Sequence, residues 1–125
     1  VDRPVAGLLR HLTQRGLWEQ TLVVWTSEMG RTPFAQSPKG KPGRNHNQFG
    51  LACWLAGGGV RGGATAGGTD EFGLKAAGET IPIRDVHATM LQLLGLDNMA
   101  LSYLNEGRHK RLTNTRGTPI REILA

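Results

Sequence analysis

A single cysteine, Cys53, rules out any intrachain disulfide. It lies inside the apolar run Leu51–Ala56 and reads as a buried, inert thiol. No apolar run is long enough to span a membrane. No signal-type leader is present either: the chain starts at Val1 and enters a helical pattern almost at once, which reads as a cut rather than a natural terminus. The glycine tract Gly57–Gly63 has no Gly-Lys-Ser/Thr ending, so it is not a phosphate-cradling P-loop, and Gly57-x-Gly59 lacks the third spaced glycine of a dinucleotide site. There is no G-x-S-x-G elbow, and Ser27, Ser37 and Ser102 stand in no nucleophile setting. The net charge of +5 comes from 15 Lys and Arg scattered along the chain. The densest clusters, Lys39–Arg44 and Arg108–Arg111, lack the interleaved aromatics of a base-stacking platform. No nucleic-acid partner is expected; a solvated basic surface or attraction for anionic substrates fits better.

What remains is globular: 38% hydrophobic and 20% charged over 125 residues. That is the size of one domain, enough to bury roughly two-thirds of its unfolded surface if it folds alone. Val5, Leu8, Leu9 and Leu12 recur at helical spacing, with Asp2 as cap, Pro4 in the first turn and Gly16 as stop. A short loop then leads to a strand over Thr21–Thr26, whose continuous apolar character suggests burial on both faces, as in a parallel sheet. Pro33 to Asn47 is a polar, basic segment with three prolines, expected to be a loop. A second strand follows at Leu51–Ala56, then the glycine tract. Thr69–Gly73 and Glu79–Ile83 suggest short strands or a hairpin. Asp85 is placed to cap a second helix running to Leu94, with Val86, Met90, Leu93 and Leu94 apolar and Gly95 as stop. The segment from Leu96 onward is polar and irregular, apart from a short helix at Ile120–Leu124.

The chemistry gathers at strand ends. Glu28 follows the first apolar strand in Thr26-Ser27-Glu28-Met29-Gly30-Arg31-Thr32-Pro33, where its carboxylate can serve as metal ligand or base. The competing readings are a solvated loop carboxylate or a partner for Arg31. His46, in Gly43-Arg44-Asn45-His46-Asn47, is a zinc-type imidazole or an exposed loop histidine. Arg31 and Arg44 can clamp an anion bidentately or simply be solvated charge. Asp85 and His87 form a D-x-H at a helix start, Asp85 being as readily a simple cap. His11 and His109 read as surface residues.

Taken in order, these segments resemble a sulfatase-like bacterial family known as domain of unknown function 1501. Residues 26–33 resemble its T-E-F-G-R-T-P, and residues 43–47 its G-R-D-H. Trp54–Gly63 is similar to W-x-A-G-G-G-x-x-G-G, and Thr69–Gly73 to T-D-E-x-G. Asp85–Thr89 matches D-x-H-A-T, and Gly107-Arg108 with Arg111-Leu112-Thr113 matches G-R-x-x-R-L-T. The resemblance implies an α/β fold, a partial alkaline phosphatase-like sandwich with a mainly parallel sheet and flanking helices. It also implies that residues 1–125 are the C-terminal part of a single sulfatase-like domain. The nucleophile and the remaining metal ligands are then expected upstream, and the chain alone is expected to be inactive.

By the same resemblance, the expected activity is metal-dependent hydrolysis of phosphate or sulfate esters, acting on a small anionic ester. Glu28 and His46 are the implied ligands of a divalent metal, zinc or calcium. Asp85 and His87 are further candidates at or near the metal, and Arg31 and Arg44 are the anion holders. Export to the periplasm is implied too. Met29 stands where relatives often have histidine, Asn45 where the family has aspartate, and Asn98 where a histidine is common. The first two favour a second reading, a non-catalytic exported binding or scaffold protein with a degenerate site. The Asn98 exchange reads as a difference at the surface or just outside the site.

Overall fold

The computed structural model describes residues 1–35, 43–113 and 116–125. Helix α1 spans Asp2–Gln14, and Leu12 is its buried residue. Val5 and Leu9 are half-buried while Leu8 is exposed, so the stripe is used along one edge. The helix starts one residue earlier than a cap at Asp2 would allow. Val1 holds the cap position without a side-chain bond, and Asp2 contributes its charge to the first turn. Gly16 ends the helix as expected. Its φ of +68° lets its N–H reach the Thr13 carbonyl and the Leu17 N–H reach the Leu12 carbonyl.

Strand β1, Leu22–Trp25, falls within the expected strand, but none of its residues is buried. Strands β2, Gly30–Ala35, and β3, Arg44–Asn47, form an antiparallel pair. Both ends of the expected 33–47 loop are therefore strand, while its middle, residues 36–42 with most of the Lys39–Arg44 cluster, lies outside the described residues. Pro33 falls where the pairing shifts between Arg31 and Ala35, a position at which an edge strand tolerates a missing N–H. Strand β4, Trp54–Gly57, starts later than the apolar run and pairs with β1. Thr69–Ala76 is a turn closed by one isolated bridge rather than a strand pair, and the expected strand at Glu79–Ile83 is not formed. Pro82 caps helix α2, Ile83–Leu93, instead. The segment after Leu96 contains an unexpected hairpin, β5 (Tyr103–Asn105) with β6 (Arg108–Lys110), and ends in a single 3-10 turn at Arg121–Ile123.

The expected mainly parallel sandwich is thus corrected. Among the described residues the strands form three two-stranded sheets, and β2–β3 and β5–β6 run antiparallel. The reason is local. Two residues separate β5 from β6 and eight separate β2 from β3, both fewer than the dozen or more that a parallel crossover needs. A two-stranded sheet also cannot cover both faces of an apolar strand, which leaves Trp25 and Trp54 partly exposed. Their rings stack instead, 6.2 Å apart and 5° from parallel. No helix among the described residues is long and apolar enough to cross a membrane.

The chain divides into two compact units, residues 1–23, 55–65 and 82–125 in one and 24–54 with 66–81 in the other. In the first, the buried residues of α2 are Ala88, Thr89 and Leu91. Val86, Met90 and Leu93, expected on the apolar face, are half-buried, and Leu94 is exposed. Gly95, with φ +74°, stops the helix with the same paired carbonyl capture that ends α1. The segment after Arg116 is fastened to α2 by hydrogen bonds. Ile120 N–H donates to Thr89 Oγ1 at 2.9 Å, and Thr118 N–H to Asp85 Oδ1 at 3.0 Å. Thr89 in turn donates to the Asp85 carbonyl at 2.6 Å.

Buried Asn98 donates to Thr113 Oγ1 at 3.2 Å and to the Gly117 carbonyl at 2.9 Å, so it is not at the surface. In the second unit, buried Asn47 does similar work. Its Nδ2 donates to the Gly73 and Leu74 carbonyls, and its Oδ1 accepts from Phe49 N–H.

Candidate functional site

Register decides which of the strand-end residues meet. The β2–β3 pairing sets Gly30 opposite Asn47 and Arg31 opposite His46. Ser27 folds its hydroxyl onto the Met29 carbonyl at 2.6 Å, shaping the turn that precedes β2. Glu28 then projects beside both partners. Its Oε1 accepts from Arg31 Nη2 at 3.3 Å and lies 3.5 Å from His46 Nε2. An imidazole and a guanidinium therefore converge on one carboxylate oxygen. All three are substantially exposed, 63% for Glu28, 51% for His46 and 45% for Arg31, so solvent screens their attraction. Asn45 turns its Oδ1 onto the backbone N–H of His46 at 2.9 Å, which fixes the strand below the imidazole.

Of the readings of Glu28 left open by the sequence, the pairing with Arg31 is seen, and the same carboxylate also faces His46. The donor pair fits a metal. Zinc holds oxygen and nitrogen ligands at about 2.0–2.2 Å, which across a tetrahedral angle separates them by about 3.4 Å. The 3.5 Å between Glu28 and His46 matches that spacing. An imidazole nitrogen also suits zinc better than calcium, which takes oxygen ligands. Two donors do not complete a site, and no group of three or more His, Cys, Asp or Glu that could hold a metal occurs among the described residues.

The other residues singled out from the sequence are placed differently. Arg44 lies opposite Ala35, at the end of the β2–β3 pairing away from Arg31 and His46. Asp85 and His87 belong to the other unit. Asp85 sits in the first turn of α2 and receives the Thr118 N–H. His87 is half-buried on the same helix. His11 and His109 are exposed, as expected. Cys53 is half-buried, and burial pushes its thiol above the ordinary range, leaving little thiolate at neutral pH. Iodoacetamide at neutral pH should therefore modify Cys53 more slowly in folded than in urea-unfolded protein. Equal rates would place the thiol on open surface.

A groove of about 540 Å³, which sequence reasoning missed, adjoins the cluster. It is lined by Met29, Thr32, His46, Asn47, Gln48, Phe49, Leu74 and Lys75. His46 belongs to both groove and cluster. No periodic signal marks such a groove, because its walls come from three stretches separated in sequence, around residues 29–32, 46–49 and 74–75.

The sequence model of the family described as Protein of unknown function (DUF1501) matches residues 1–124, and the chain belongs to that family. No curated protein and no solved structure matches it.

Proposed function

We propose that this DUF1501 member serves a metal-dependent hydrolase of phosphate or sulfate esters, exported and related in chemistry to the sulfatase-like enzymes. The reading is carried by one observation: Glu28, Arg31 and His46, brought together by the hairpin register, share a single carboxylate oxygen. Glu28 and His46 supply two ligands of a divalent metal, zinc above calcium. Such a metal supplies Lewis acidity toward an ester oxygen. Arg31 has a different task. With Glu28 engaged by a cation, its half-exposed guanidinium is released to hold the phosphate or sulfate bidentately. The Asn45 contact keeps the His46 backbone in place while the imidazole nitrogen stays free to coordinate.

His46→Ala is expected to weaken metal binding at least about tenfold, as loss of a ligand should. In the full-length protein esterase activity should fall with it, and the unfolding midpoint should hardly move because His46 is exposed. Elemental analysis after dialysis, with a thermal melt as control, reads both. Undiminished metal together with undiminished turnover would remove His46 from the site.

A second reading, a non-catalytic exported binding or scaffold protein, is favoured by the Glu28–Arg31 pair itself. An ion pair already satisfies the carboxylate without any metal. Full-length protein that binds no divalent metal at micromolar concentration and turns over no ester would favour it.

A further inference from the structure

We infer that the alcohol portion of the ester is apolar, an alkyl or aryl group rather than a sugar or nucleoside, and that it lies in the groove beside His46. This rests on the reading of Glu28, Arg31 and His46 as the anion-holding site. The groove has the volume of a small-molecule pocket, about 540 Å³, and its wall is mostly carbon, from Met29, Phe49 and Leu74. Phe49 is 65% exposed, leaving aromatic surface in water that an apolar group would cover.

Two of the polar side chains along the wall, Asn47 and Thr32, are committed within the protein. Asn47 spends its amide on Gly73, Leu74 and Phe49, and Thr32 donates its hydroxyl to the Phe34 carbonyl. A sugar placed there would lose hydration from its hydroxyls against the carbon wall, with Gln48 and Lys75 as the side chains left to partner them. Charge fixes which end the anion takes. Lys75 lines the groove, and Arg31 lies across the hairpin from His46 at its edge. No carboxylate lines it, and the nearby Glu28 is paired with Arg31. An ester with an anionic head and an apolar body matches both features.

Calorimetric titration of the intact protein with methyl, butyl, hexyl and phenyl phosphates and sulfates, glucose 6-phosphate, and inorganic phosphate and sulfate tests this. Affinity is expected to rise about fourfold per added methylene until the groove is filled. Glucose 6-phosphate should bind no tighter than inorganic phosphate. Phe49→Ala should flatten the methylene slope and leave inorganic anion binding unchanged, whereas Arg31→Ala should weaken every member of the series.

A flat series, or glucose 6-phosphate binding tighter than hexyl phosphate, overturns the inference. The anion site itself survives that result if inorganic anions still bind and still respond to Arg31→Ala. Failure of all anions to bind defeats both. Should Phe49→Ala not fold, the slope measured on unaltered protein still decides.

Discussion

Gly30→Ala is expected to lower stability by at least about 3 kcal/mol and to scatter the candidate site with it. A Cβ at Gly30 would overlap the Gly50 carbonyl and come within 3.2 Å of the Asn47 carbonyl oxygen. Both obstacles are backbone, so no rotamer change relieves them. The chain must move apart where β2 meets the turn after β3. Arg31 and His46 sit one residue pair away, so that shift separates them from each other and from Glu28. Thermal unfolding should show a lowered midpoint, and metal and anion affinity should fall together even below the transition. An unchanged midpoint would mean the approach of Gly30 to Gly50 is looser than described, and the register argument for the site would fail with it.

Thr89→Val should cost about 2 kcal/mol and release the C-terminal segment from α2. Thr89 is fully buried and isosteric with valine, so the exchange leaves packing intact and strands the Ile120 N–H without its acceptor. Limited proteolysis should then cleave between Arg116 and Arg121 well before the rest of the chain.

Asp85 gives a companion test that separates structure from chemistry. Asp85→Asn keeps an oxygen to accept the Thr118 N–H and should leave both stability and metal content nearly unchanged, whereas Asp85→Ala should resemble Thr89→Val. If Asp85→Asn instead stripped metal while stability held, Asp85 would belong to the metal site. A Thr89→Val protein as stable and as protease-resistant as the original would show that the segment is held by other contacts.

These two results bear on how family motifs are read. The D-x-H-A-T resemblance at 85–89 suggested site chemistry, yet Asp85 and Thr89 both bind backbone amides of the C-terminal segment. The T-D-E-x-G stretch behaves alike: Asp70 Oδ1 accepts the Leu74 N–H at 2.7 Å and closes a turn that Asn47 then grips. Thr113 of the R-L-T stretch receives Asn98. Glu28, Arg31 and His46 are motif residues that are exposed and lie together. A polar side chain in a motif is thus as often a fastener for a loop as a reagent, since a buried backbone N–H or C=O must find some partner.

What the sequence determined by itself was local. Apolar residues at helical spacing placed α1 and α2, and Gly16 and Gly95 stopped them, because helix formation and left-handed termination depend on neighbours within one or two turns. The apolar runs located β1 and β4 to within a few residues. The β5–β6 hairpin escaped because Glu106, at φ +50°, occupies a turn position where asparagine or glycine is the usual sign. The β2–β3 hairpin escaped because polar residues and Pro33 disguise a pair of edge strands.

Tertiary structure alone decided which strands pair and in which direction, and so replaced the expected parallel sheet. It also decided that His46 faces Arg31 and Glu28, that Asn47 holds residues 73 and 74, and that Thr89 holds Ile120. Those last partners lie 26 to 31 residues apart, and a hydrogen bond between them leaves no periodic trace in the chain. Hydrophobic spacing is written along an element, whereas the pairing of two polar groups is fixed only when both ends of the intervening loop have found their places.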